Sequence, residues 1–418
     1  VTHAHADAAT PLDEVEIARV RRRSRAAIIA GQVLAGVGMG STLSAGALLI
    51  TEVSGSETLS GMAATMSTIG AALAAVPLAA LATRRGRAPA LATGAALAAV
   101  GAVVGLVAAI LSSTLLLLAG IIVLGVGTAV NLQARFAATD LSEPGRRGRD
   151  LSVVVWATTI GAVLGPNLMG PGDAVGRALG LPPLAGPYLF TIAAQVLAAI
   201  VYLVGLRPDP LRLATRIGLE RPASPEAAPR TADVGGIATG MIATCLSHAT
   251  MVSVMAMTPV HLVSHGASLE LVGATISLHV LGMYALSPVW GVLADRLGRE
   301  ATIAFGQVLL LGALLLLAVG AESELWVTIG LMLIGLGWSA ASVAGSTLIS
   351  ESVDVVGRAR IQGRADLLMS TAGALGGAAA GLVLAMIGYG GLALAATGLA
   401  LIVLATLAWR GLRRRATA

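Results

Sequence analysis

Residues 291–299 read Gly-Val-Leu-Ala-Asp-Arg-Leu-Gly-Arg and join two apolar runs, 269–294 and 301–320. Each run is long enough to cross a bilayer, which takes roughly 20 apolar residues at 1.5 Å rise. A shift of 212 positions, from Asp295 back to Thr83, lands on Thr83-Arg84-Arg85-Gly86-Arg87, again between two apolar runs. The same offset lays Gly145-Arg146 on Gly357-Arg358, Gly161 on Gly373, Gly165 on Gly377 and Met39 on Met251. One offset that holds from the first run of a half to its fifth marks an internal repeat.

Working outward from that loop, twelve segments qualify as spans: 26–50, 59–82, 88–110, 114–138, 151–170, 187–206, 235–259, 269–294, 301–320, 325–349, 365–387 and 391–409. Arginine placement fixes the topology, because basic loops stay on the cytoplasmic side. Every basic residue is an arginine, and all 27 except Arg135 and Arg177 fall in the two tails and in alternate loops. The expectation is an all-α membrane protein with both termini cytoplasmic, in the inner (plasma) membrane. Residues 1–25 form an N-terminal tail, 26–206 a six-helix half, 207–234 a proline-rich linker, 235–409 a second six-helix half and 410–418 a C-terminal tail.

Composition narrows the function classes. Only 12% of residues are charged, against about 25% in a soluble domain. The arginines sit in short loops and aromatics are scarce, which argues against a nucleic-acid surface. The one cysteine, Cys245, rules out an intramolecular disulfide. The polar first 25 residues lead into a run long enough to span, so a retained first helix is expected rather than a cleaved signal. No hydrolytic triad, phosphate loop or nucleotide motif occurs, so neither an enzyme nor an ATP-driven pump is expected.

The 291–299 loop resembles the loop motif of the major facilitator superfamily, G-x-L-a-D-R-x-G-R. Twelve spans, basic interior loops and a central linker match that family over nearly the whole chain. The resemblance implies a transporter in which Gly291, Asp295, Arg296, Gly298 and Arg299 form a conformational latch. An acid at a helix end beside arginines can make charge-assisted contacts with a neighbouring helix in one state and lose them in another. The first-half copy has Thr83 where the acid belongs. Arg135, well inside the fourth span, is either a gating charge or one that snorkels outward beside Asp140, about one turn away. Gly161-x-x-x-Gly165-Pro166 partly resembles a motif of the antiporter branch, and the same spacing permits close helix packing.

The sharpest local pattern is Met251-x-x-x-Met255 on the seventh span and His279-x-x-x-Met283 on the eighth. Sulfur and imidazole together suit Cu(I). Met251 and His279 fall at similar depth, and adjacent antiparallel helices would bring both pairs together near the midplane. At these four residues the chain resembles the CcoA-like copper importers, which implies Met251 and His279 as principal ligands and Met255 and Met283 as assistants. The thiol pairs of some members have no counterpart here. Possible auxiliaries are Cys245 and His248 on the seventh span, Met39 as the repeat mate of Met251, and His261 and His265 at the outer mouth.

The function expected from sequence is therefore a secondary-active carrier working by alternating access, with copper as transported substrate and no resident cofactor. The alternative is an exporter or facilitator of a small organic compound (a drug, a metabolite or a riboflavin-like molecule) in the same fold. The acids Asp150, Asp295, Glu351, Asp354 and Asp366 are placed at helix ends, which speaks against proton antiport through a carboxylate. Expected partners are the lipid bilayer and a small solute or metal ion, not nucleic acid, with the monomer as working unit.

Overall fold

The computed structural model describes residues 14–54, 62–143, 145–220 and 233–417, and these form helices and their connections with no strand among them. In chain order the helices are α1 (Glu14–Ser54), α2 (Met62–Arg85), α3 (Arg87–Ile110), α4 (Thr114–Leu124), α5 (Val126–Ala137), α6 (Arg147–Asn167), α7 (Met169–Ala178), α8 (Pro187–Gly205), α9 (Pro210–Glu220), α10 (Val234–Ser264), α11 (Leu269–Tyr284), α12 (Ser287–Leu297), α13 (Arg299–Val319), α14 (Glu324–Glu351) and α15 (Val355–Thr417). Among the described residues, nine stretches are long and apolar enough to cross a membrane. The last of them holds two passes, broken at Gly388 by a backbone φ of 72° that favours glycine. With α1 and α6 this makes twelve passes, the fourth built from α4 and α5 and the eighth from α11 and α12. They form two six-helix pseudo-repeats, as the 212-residue offset predicts.

Three boundaries differ from the sequence reading. The expected N-terminal tail is already helical from Glu14, with Glu14 and Glu16 in the first turn, where the helix dipole favours acids. Its arginines dock on the α5–α6 connection through Arg21–Glu143 at 2.6 Å and on the first turn of α6 through Arg25–Asp150 at 3.2 Å. The linker opens with α9, started by Pro210 and capped by the Asp209 carboxylate on the Leu211 and Arg212 N–H groups. Leu211, Leu213 and Ala214 of that helix are buried. Most consequential, the eleventh pass begins at Val355 rather than 365, because Arg358 and Gln362 point into the protein instead of into water.

Each half has its own apolar core. In the first, Ile28, Leu91, Val130 and Tyr202 belong to one cluster; in the second, Leu310, Leu314, Leu331 and Trp338 belong to another. Two smaller clusters join the halves: Phe136 and Leu151 with Trp290 and Val343, and Ala82, Ala90 and Leu211 with Ala359. Both lie toward the arginine-rich face, so the halves meet there in a closed seam.

The candidate substrate site and the seam beneath it

Small residues let the seam close. A Cβ on Gly363 would stand 2.1 Å from the Ala79 Cβ, and one on Gly291 would stand 2.1 Å from Ser152 Oγ. Backbones of opposite halves thus approach where no side chain fits. Asp295 clamps the same seam. Its Oδ1 accepts from Gly148 N at 3.0 Å and its Oδ2 from Arg149 N at 2.9 Å, at the start of α6 in the other half. Arg299 steadies it from the next helix, donating to Asp295 at 3.0 Å and Glu351 at 2.7 Å. Gly298 takes φ 98° at the tight turn, and Arg296 is exposed. In the first half, Thr83 bonds only its own helix at Ala79 O. Asp209 stands in for the missing acid, accepting from Ala88 N at 2.8 Å beside Gly86.

Arg135 does not pair with Asp140, nor does it reach the surface. It crosses the seam, donating to Asp366 Oδ1 at 2.8 Å and to Ser342 Oγ at 3.0 Å. Asp140 is held instead by Arg87, through bonds of 2.7 and 3.2 Å, and Arg87 also crosses to Gln362 at 2.6 Å. Asp366 is no helix-end acid. It lies inside the eleventh pass, fully buried, with Oδ2 lacking a hydrogen-bond partner. The objection to a carboxylate-coupled carrier therefore falls.

One turn from Ser342 along α14, away from the arginine-rich face, stands Trp338. Its Nε1–H donates to His248 Nδ1 at 3.0 Å, and its ring meets Tyr284 edge-on with centroids 6.0 Å apart. His248 sits near the middle of the 31-residue α10 and Trp338 at the middle of the 28-residue α14. His248 and Tyr284 are both half-buried, and Cys245 and Met241 continue the half-buried face of α10. Gly373 lets α15 pass His248 closely, since a Cβ there would lie 2.6 Å from the imidazole. Two rings and an imidazole therefore meet at mid-depth, on the side of the Arg135–Asp366 pair away from the arginine-rich face, with Cys245 about one turn along α10 from His248. Gln32, Asn131 and Thr158 make a hydrogen-bonded polar group in the first half.

Of the four proposed copper ligands, three are buried, as Trp338 is, and Met255 is half-buried. Met251 and Met283 are buried in the apolar core of the second half, with Met255 packed against it. His279 is fully buried; its Nδ1–H donates to Leu331 O at 2.7 Å, leaving Nε2 without a partner. The expectation that α10 and α11 lie side by side is corrected by α14, which packs between them: its Leu331 meets His279 while its Trp338 meets His248. Among the described residues no group of three or more His, Cys, Asp and Glu side chains could hold a metal.

The remaining candidates have structural partners. Met39 packs within the first half, its sulfur 2.9 Å from where a Cβ on Gly127 would stand, in a cluster separate from that of Met251. His261 bonds Ala321 O at 2.7 Å and stacks on Tyr389 at 4.2 Å, while His265 bonds His261 O. Gly161 and Gly165 press α6 onto Gly36 and Gly40 of α1, at 2.5 and 2.6 Å from would-be Cβ atoms. That contact lies inside one half. The Pro166 side chain is outside the described set.

The major facilitator superfamily profile matches residues 27–239 and 240–418, one match for each half. An uncharacterised MFS-type transporter of Bacillus subtilis, YdeG, is 36% identical over 93% of this chain and 92% of its own length. The riboflavin transporter RfnT of Brucella anthropi is 25% identical over 84% of this chain and 86% of its own. Among solved structures, the human organic anion transporter MFSD10 superposes with a TM-score of 0.74 at 17% identity, covering 93% of this chain and 99% of that one. By sequence over residues 27–418 and by fold, the chain belongs to the major facilitator superfamily of membrane transporters.

Proposed function

We propose that the protein is a secondary carrier, working as a monomer by alternating access, for a small organic solute with a flat ring system. The arginine-rich face is cytoplasmic, so the closed seam is the inner gate and the solute enters from outside. The observation that carries this proposal is the mid-depth group in which the half-buried His248 and Tyr284 flank the buried Trp338. Aromatic faces hold a planar ring by stacking, and a neutral His248 whose Nδ1 accepts from Trp338 has Nε2–H left to donate. Opening the inner gate then requires breaking Arg135–Asp366 and releasing the α6 terminus from Asp295. The similarity to a riboflavin transporter is consistent with a solute of this class.

Copper import is a second possibility, favoured by one specific observation. The Nδ1–H bond to Leu331 fixes the His279 tautomer that leaves Nε2 a free lone pair, as in many metal-binding histidines. That nitrogen is buried without a partner, and Leu331, whose carbonyl accepts from Nδ1–H, belongs to the cluster that holds Met251 and Met283. Against it, all three side chains are sealed within one half, whereas a carried ion must meet each side in turn.

Uptake by cells making wild type, Trp338→Ala or His279→Ala separates the two. Radiolabelled riboflavin and other planar heterocycles form one arm, and copper measured by mass spectrometry forms the other. Loss of ring-solute uptake in Trp338→Ala with no copper phenotype in His279→Ala supports the organic carrier. The reverse pattern overturns it.

A further inference from the structure

On the arginine-rich face, α1 is helical for more than two turns before its apolar run begins at residue 26. At about 100° per residue, Val15, Ala18, Arg19, Arg22 and Arg25 share one stripe of that extension, about 120° wide. The stripe walls a cavity of about 480 Å³ against the α5–α6 connection and the first turn of α6, a volume within the roughly 300–1,000 Å³ of small-ligand clefts. Five guanidiniums line it, those of Arg19, Arg21, Arg22, Arg25 and Arg146, against the two carboxylates of Glu143 and Asp150. Both carboxylates are fully engaged. Glu143 takes Arg21 on Oε1 and Arg146 on Oε2, while Asp150 accepts from Arg25 on Oδ1 and from the Ser142 hydroxyl on Oδ2. Arg19 and Arg22 are exposed, and among the described residues no acid pairs with either.

The geometry points to a phosphate-binding site in this cavity, filled by the headgroup of an anionic phospholipid of the inner leaflet. Guanidiniums match phosphate oxygens in bidentate geometry, and a concave wall with excess positive charge concentrates anions. Arg19 and Arg22 are three residues apart and so are neighbours on the helix surface, which lets both reach one phosphate. Depth selects the source of that phosphate. Arg25 directly precedes the apolar run, and Arg19 lies about 9 Å further from the bilayer core along the helix axis. The headgroup layer is about 5–8 Å thick on each side, and arginine stems reaching back toward the bilayer cover the difference. The bound phosphate braces α1 against the start of α6 within the first half, so the site is independent of which solute is carried.

The test uses the purified full-length protein in detergent, with Ala18→Cys in a Cys245→Ser background as a reporter. Ala18 is exposed and lines the cavity, so an occupant slows its alkylation by a neutral maleimide. Phosphatidylglycerol is expected to protect it saturably, phosphatidylcholine and inorganic phosphate not. Removing both free arginines, as Arg19→Gln with Arg22→Gln, is expected to raise the phosphatidylglycerol needed for half-protection about 25-fold, about fivefold for each charge. Neither arginine holds a protein acid, so folding is not at stake. The control is Arg360→Gln with Arg364→Gln, which removes the same charge from exposed positions outside the cavity and is expected to leave protection unchanged. Protection by inorganic phosphate without phosphatidylglycerol would keep the phosphate chemistry and assign the cavity to a soluble phosphate compound instead. Equal protection by phosphatidylcholine, equal loss in both double variants, or no protection by either phosphate source overturns the site.

Discussion

Replacing Gly363 with alanine probes seam closure with a single methyl group. The added Cβ stands 2.1 Å from the Ala79 Cβ and 3.2 Å from Ala75 O, whereas carbon atoms rest at about 3.5–4.0 Å. α2 and α15 must separate by more than an ångström to admit it. Overpacking of this kind costs roughly 1–3 kcal/mol, an opening shift of about 5- to 150-fold. The same change inside a helix improves helix propensity by about 1 kcal/mol, so folding of the second half is not expected to suffer. The readout is the alkylation rate of Ala82→Cys in a Cys245→Ser background, since Ala82 is fully buried in the seam. Gly381→Ala on the same helix is the control, because nothing lies within 4 Å of its would-be Cβ. Equal rates for Gly363→Ala and Gly381→Ala would refute the closed seam.

Other perturbations act on the charges that hold the seam. Arg135→Gln or Asp366→Asn alone strands a buried charge and is expected to cost roughly 3–5 kcal/mol of closed-state stability. The double variant should recover much of that in thermal melts, and simple additivity would argue against a direct pair. Asp295→Asn keeps the shape but weakens two charge-assisted bonds to the α6 terminus. About 1–2 kcal/mol is expected, seen as roughly 5- to 30-fold faster Ala82→Cys alkylation. Thr83→Asp should have little effect on the same rate, because Asp209 already caps α3.

Much of the architecture was legible because it rests on repetition and length. Apolar runs, the 212-residue offset and the arginine pattern each point to the same twelve passes, and the loop motif singles out Asp295, which bonds the α6 start across the seam. What escaped was set by tertiary neighbours. Residues 357–364 look like a loop because they carry two glycines and three arginines, yet Arg358 and Gln362 are turned into the seam, which extends the helix and takes Asp366 inside. Asp140 seemed the natural partner of Arg135 because it is near in sequence, whereas the true partner is 231 residues away. Trp338 and Tyr284 break no periodicity and match no motif, so nothing marked them before the helices were packed. His248, by contrast, was legible as part of the α10 face. The depth of Met251 and His279 was readable too. The direction they face depends on α14 standing between their helices, which no spacing within either helix records.

The most direct measurement is ligand-induced stabilisation of the purified carrier by a panel of planar heterocycles, riboflavin among them, and by Cu(I). The panel is run on wild type, Trp338→Ala and His279→Ala. The expected result is a ring solute that raises the melting temperature of wild type and His279→Ala but not of Trp338→Ala. Stabilisation by Cu(I) alone, abolished by His279→Ala and untouched by Trp338→Ala, would contradict it.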